Sequence, residues 1–195
     1  MLTTAEEDRI EADLPFVQTL TYEGADYQCE LTPYWSGPDH AGDRVDAAPE
    51  YPAIVFGWDS QGAEDEERRP LGGVSRIDDR GDAAEFAEVE ERSLDDELSI
   101  TVAVDASHDA NGVPPDVRGK QLARAIWRYI VFEMDLDSVG ANGERPLLIE
   151  PLNPPTPGRV AGTYRLEWSV QVSYVDEHET VHETVDDAEY AVDME

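Results

Sequence analysis

From Thr163 to Val175 the chain alternates without a break, with Tyr164, Leu166, Trp168, Val170, Val172 and Tyr174 on one side and Arg165, Glu167, Ser169, Gln171 and Ser173 on the other. A period of two is that of a strand with one buried face. Such a strand needs paired neighbours and a cover for its apolar side. "DELSITVAVDAS" repeats the pattern, with Leu98, Ile100, Val102 and Val104 on the inner face. The cover is offered by "VRGKQLARAIWRYIVFEM", where Leu122, Ala125, Ile126, Tyr129 and Ile130 recur at helical spacing and Asp116 is placed to cap the start. These segments predict an α+β fold: a mostly antiparallel or mixed β-sheet packed against one long amphipathic helix, with long loop or hairpin insertions.

Other segments fill in the sheet. "YPAIVFGW", Tyr51 to Trp58, is short, apolar and β-prone, a buried strand. "LPFVQTLTYEGADYQCELTPYW" alternates loosely about Gly24, as a hairpin does. Residues 4–13 suit a short helix, with Thr4 and Glu7 as a capping box. "SGPDHAGDRVDAAPE" reads as loop, and "PLLIEPLNPPTPG" as a short strand followed by a loop stiffened by Pro151, Pro154, Pro155 and Pro157. No compositional break divides the chain. Residues 1–195 are expected to form a single α+β domain, with 59–93 an extended arm or hairpin insertion and 186–195 an acidic tail.

Charge narrows the partners. The chain carries 45 acidic and 14 basic residues, a net charge of -31, and Lys120 is its one lysine. Dense carboxylate with almost no lysine fits a protein made for molar salt, where the Debye length is about 3 Å and self-repulsion is screened. The source is therefore read as an extreme halophile or one of its viruses. Binding to free nucleic acid is disfavoured, since phosphates meet repulsion. A single cysteine, Cys29, excludes an internal disulfide and a multi-cysteine metal site. No apolar run approaches the length of a membrane span, and the first residues lack the basic and apolar regions of an export signal. The expectation is a protein made in the cytoplasm with no membrane partner.

His178-Glu179-Thr180-Val181-His182 matches the H-E-x-x-H pattern of zinc peptidases. That chemistry needs a helix, on which i and i+4 imidazoles share one face and the glutamate activates a zinc-bound water. Here the intervening residues are β-branched, the segment repeats as His-Glu-Thr-Val, and no histidine follows His182. A polar edge strand is the expectation, with a zinc hydrolase as the alternative. His40 and His108 lie in turn-rich stretches, no G-x-S-x-G occurs, and neither "GGVSRIDDRG" nor "GANGERP" supplies a phosphate loop with its lysine. No catalytic, metal-binding or cofactor-binding residue is assigned.

One constellation stands apart. Arg118, Lys120, Arg124 and Arg128, four of the 14 cations, fall on the long helix, and Trp127 lies beside them. A solvated polar face explains such a pattern; so does a docking face, whose arginine forks bind carboxylates on a copy or neighbour while the tryptophan anchors the contact. The scarcity of cations favours docking, and these five residues form the candidate oligomer interface.

From Leu94 to Val175, together with "YPAIVFGW", the order of strand, loop, helix ("QLARAIWRYI"), small strand and long alternating strand ("TYRLEWSVQVSYV") resembles the tail terminator, or tail completion, proteins of long-tailed viruses. The resemblance rests on hydrophobic pattern and element order. It implies a compact virion subunit with no enzymatic activity. Such subunits form a ring, typically a hexamer, that caps the tail tube, joins it to the head–tail connector and lets genomic DNA pass through its lumen without sequence-specific binding. It would reside in the tail neck of the virion after assembly in the host cytoplasm. A stopper or connector component of the same neck is the nearest alternative. The excursion 59–93, the proline-rich loop and the acidic tail exceed what a minimal subunit of that kind needs.

Overall fold

A computed structural model describes residues 2–36, 50–58, 73–79, 85–107, 109, 111–160 and 162–183. The acidic tail 186–195, most of the loop after Trp35, His40, His108 and residues 59–72 lie outside this range. The element order is α1 (Thr4–Asp13), β1 (Val17–Tyr22), β2 (Ala25–Glu30), β3 (Thr32–Ser36), β4 (Ala53–Trp58), β5 (Gly73–Asp79), β6 (Glu85–Asp105), α2 (Pro115–Phe132), β7 (Leu148–Pro151), β8 (Thr156–Val160) and β9 (Thr163–Glu183). The fold is α+β, with mixed and antiparallel pairing. Among the described residues it has two helices, the short one expected at residues 4–13 and the long α2.

The chain divides into two compact units, 1–67 with 95–174 and 68–94 with 175–195. In the first, strands run in the order β3-β4-β6-β9-β7, with β8 also on β9; β3 and β4 are parallel, while β4–β6, β7–β9 and β8–β9 are antiparallel. Register sets Trp35, Phe56, Ile100 and Val102 on one face, and the Tyr174 hydroxyl donates to Asp96 at 2.7 Å, which puts the apolar side of β9 on that face too. Ile54, Phe56, Leu98, Ile100, Val102, Val170 and Val172 are buried there. Burying each large apolar side chain contributes about 1.5–3 kcal/mol, so this layer is the main source of cohesion. In the second unit β5 pairs antiparallel with β6 from Phe86 to Arg92, within the stretch where an arm or hairpin is expected.

Local chemistry explains the elements. β1 and β2 turn on Glu23-Gly24, both at positive φ, the conformation that tight two-residue hairpins require. α2 packs on β9 through Gly119, where a Cβ would come within 2.8 Å of the Tyr164 ring. Its buried stripe is Gly119, Leu122, Ala123, Ile126 and Ile130, turned slightly from the expected one: Ala125 and Tyr129 are half-buried, and Gly119 and Ala123 take the close approach. α2 starts two residues earlier than an Asp116 cap allows. Pro114 is the N-cap and Pro115, whose fixed φ suits the first helical position, precedes Asp116 in the first turn.

α1 spans the residues expected, but its capping box is Thr3 with Glu6, not Thr4 with Glu7. Two overlapping frames exist in "TTAEE", and distant partners choose between them: Arg145 takes Glu6, and the Trp58 indole takes Glu7. The proline-rich loop after β7 also contains a strand. β8 sits at the sheet's edge, where Pro157 lacks only a hydrogen-bond donor that a free edge does not need. Pro33 in β3 and Pro151 in β7 occupy edge strands as well.

Candidate functional site

From Val117 to Phe132, bracketed by Asp116 and Glu133, α2 contains no carboxylate, in a chain of 45 acidic residues. Its apolar stripe is buried. What remains outward is Lys120, Arg124, Arg128 and Phe132, all exposed.

The cations of this first unit divide by their partners. Arg9 donates to the backbone carbonyls of Arg145, Leu136 and Ser138, pinning the loop after α2 to α1. Arg145 forks onto Glu6, with Nε–Oε1 at 2.6 Å, and its guanidinium lies 4.2 Å from the centre of the Tyr174 ring. Lys120 pairs with Asp116 across one turn at 3.3 Å, and Arg165 donates to the Thr163 hydroxyl. Arg124 and Arg128 have neither an ion pair nor a hydrogen bond among the described residues, and both are exposed.

Arg118 is removed from the interface expected by sequence. It is 6% exposed, donates to the Asp105 carbonyl at 3.2 Å and lies 3.7 Å from the Asp109 carboxylate. The reason is spacing: Arg118, Leu122 and Ile126 are successive i, i+4 positions, so its stem shares the buried stripe. Its job is to close the β6–α2 loop, in which Asp109 also accepts the backbone N–H groups of Asn111 and Val113.

Trp127 is half-buried, and its indole Nε1 is enclosed without a partner among the described residues, so its polar edge is not offered outward. Phe132 is the aromatic residue that is offered: 71% exposed, it continues the Arg124, Arg128 row at i+8. That spacing is present in the sequence. The outward row is Arg124, Arg128 and Phe132, with Lys120 one turn before it and partly neutralised by Asp116.

Tyr129 shows how the inner flank is tied down. Its hydroxyl donates to Asp13 at 3.2 Å, and burial followed by the charge of that carboxylate pushes its pKa up from the ordinary value. On the neighbouring flank Gln121 exchanges two hydrogen bonds with the Thr21 backbone, accepting its N–H at 2.9 Å and donating to its carbonyl at 2.8 Å. α2 is thus held on its own unit by α1, β1 and β9, and its arginine row is the part left over.

His178 to His182 fall within β9. On a strand, four residues span about 13 Å, so the backbone lacks the helical turn on which an H-E-x-x-H zinc site depends. Among the described residues no group of three or more His, Cys, Asp or Glu is placed to hold a metal ion, and no helix is long and apolar enough to cross a membrane. Compared with known proteins, the chain matches no family and no curated protein.

Proposed function

We propose that this chain is a structural, non-catalytic subunit of a ring at the head–tail junction of a long-tailed virus of a halophile, the ring that caps the tail tube and meets the connector. The observation that carries the reading is the exposed row of Arg124, Arg128 and Phe132 on an acid-free helix face, in a chain of net charge -31 in which Arg9, Arg118, Lys120, Arg145 and Arg165 have internal partners. Arginine forks on an outward helix bind carboxylates, and every neighbouring copy of this chain is rich in them. Phe132 supplies the apolar anchor that such contacts use.

The rest of the composition supports the role. A lumen of net negative charge gives the genomic duplex no phosphate-binding points, so DNA slides through it. A compact α+β body with a rigid helix presenting its outer face suits a subunit that must repeat around an axis.

The test is assembly. Light scattering coupled to size exclusion in molar KCl is expected to show a closed oligomer, and Arg124→Glu with Arg128→Glu is expected to reduce it to protomers. The stability of each protomer should shift by less than about 0.5 kcal/mol, as for exposed positions. A wild-type chain that remains a protomer at high concentration, or a charge-reversed chain that assembles unchanged, overturns the reading.

A further inference from the structure

The β1–β2 hairpin is a two-stranded sheet of its own, and its register fixes which backbone groups face outward. Tyr22 and Ala25 close the two-residue turn, so Tyr22–Ala25, Leu20–Tyr27 and Gln18–Cys29 are the pairs that exchange backbone hydrogen bonds, and Thr21–Asp26, Thr19–Gln28 and Val17–Glu30 are the pairs that do not. Two contacts agree with this parity. Leu31 N–H donates to the Phe16 carbonyl, continuing the bonded series, and Thr21 turns both its backbone groups away from β2 to meet Gln121.

It follows that the N–H and C=O groups of Asp26, Gln28 and Glu30 point away from β1. All three residues are exposed, and no backbone partner meets these groups among the described residues. Three edge strands of the larger sheet are blunted, since Pro33, Pro151 and Pro157 each lack a backbone donor. β2 has no proline. An open row of donors and acceptors is a template for one more strand.

Charge selects the occupant. Asp26 and Glu30 stand on the same side of β2, with Gln28 between them, and Asp26 is steadied by the Thr21 hydroxyl at 2.7 Å. Residues directly opposite across a ladder lie about 5 Å apart, where opposite charges stabilise and like charges destabilise. A second copy pairing β2 with β2 about Gln28 would set Asp26 against Glu30 twice. A segment with cations four residues apart would set a cation against each carboxylate, in either strand direction. We propose that the outer edge of β2 receives an extended, basic segment of a partner protein as a third strand. The proposal is independent of the ring, since it involves neither α2 nor a second copy.

The probe is the capped peptide Arg-Val-Thr-Val-Arg, with Glu-Val-Thr-Val-Glu as control, added to the full ¹⁵N-labelled chain in molar KCl while amide solvent exchange is followed by NMR. The arginine peptide is expected to slow exchange at Asp26, Gln28 and Glu30 by about tenfold, an opening-equilibrium effect confined to the outward amides, and the glutamate peptide to leave them unchanged. Gln28→Pro, which removes an outward donor and no β1–β2 bond, should abolish the protection. Asp26→Lys with Glu30→Lys should invert the preference between the peptides. No protection by the arginine peptide, equal protection by both, undiminished protection in the proline variant, or protection that rises with protein concentration in the absence of peptide would each overturn the proposal; the two-peptide comparison decides even where a variant does not fold.

Discussion

α1 and α2 cover the same face of one sheet and are held by different forces. α2 is seated by an apolar stripe, with Leu122, Ile126 and Ile130 buried on it. In α1 the only buried apolar residue is Ile10, and its buried neighbours are Glu6 and Glu7. Polar contacts hold it instead: Glu6 on Arg145, Glu7 on the Trp58 indole at 2.5 Å, Glu11 on the Trp35 indole at 2.7 Å, Arg9 on three carbonyls and Asp13 on Tyr129. The two indoles lie together, ring centres 6.2 Å apart, and give the acidic helix a pair of neutral donors. An acidic chain can thus seat a helix through its carboxylates, where matched donors replace the water those carboxylates lose.

The comparison breaks most sharply at Arg145. Arg145→Ala strands the Glu6 carboxylate, 3% exposed in its side chain, and should lower unfolding stability in molar KCl by about 4 kcal/mol, because an unpaired buried charge costs far more than the pair contributes. Pairing Arg145→Met with Glu6→Leu should recover much of the loss, since no charge is then buried. Ile126→Ala attacks α2 by its own mechanism, a cavity at a fully buried position, and should cost about 3.5 kcal/mol in urea unfolding. The two helices should differ in what rescues them: acid or a second substitution for α1, only refilled volume for α2.

Acid sharpens the contrast. Burial raises the pKa of Glu6, but the hydrogen bonds from Arg145 and from the backbone N–H of Thr3 pull harder, from an ordinary 4.5 down to about 2. A carboxyl with a depressed folded pKa contributes stability that is present above about pH 4.5 and fades as pH falls toward about 2; for Glu6 this amounts to roughly 3 kcal/mol. NMR titration of the Glu6 carboxyl carbon should place its midpoint near the lower figure, and Arg145→Ala should return it to the carboxylate range or above. Trp58→Phe is the mildest change. It removes one donor from Glu7 and should cost about 2 kcal/mol in the same unfolding measurement, the size of a hydrogen bond to a charged group.

Legibility follows the same division. Periodicity found β9, β6, β4 and α2 because apolar burial leaves a repeating mark in the chain, 2.0 residues in strands and 3.6 in helices. A capping-box pattern gave the span of α1 but not its cap frame, since Glu6 and Glu7 are equivalent until Arg145 and Trp58 arrive from 139 and 51 positions away. β8 escaped because prolines read as loop, and only the sheet edge makes them harmless. In the candidate site, Arg124 and Arg128 were visible as scarce cations on one face. Arg118 and Trp127 turned inward, and Phe132 came forward, because a rotation of the buried stripe by a fraction of a turn decides which flank a partner can reach.

By itself, the sequence determined the class of fold, the strands and helix with a buried apolar face, and a net charge of -31. Those follow from local alternation and from counting, and need no knowledge of neighbours. Tertiary structure alone decided which cations are consumed inside and which are left outside, which strand edges are capped by proline or by Gln121, and which glutamates are buried. Each of these depends on a partner distant in the chain, and a carboxylate or guanidinium carries no mark of its partner until the backbone brings the two within hydrogen-bonding distance.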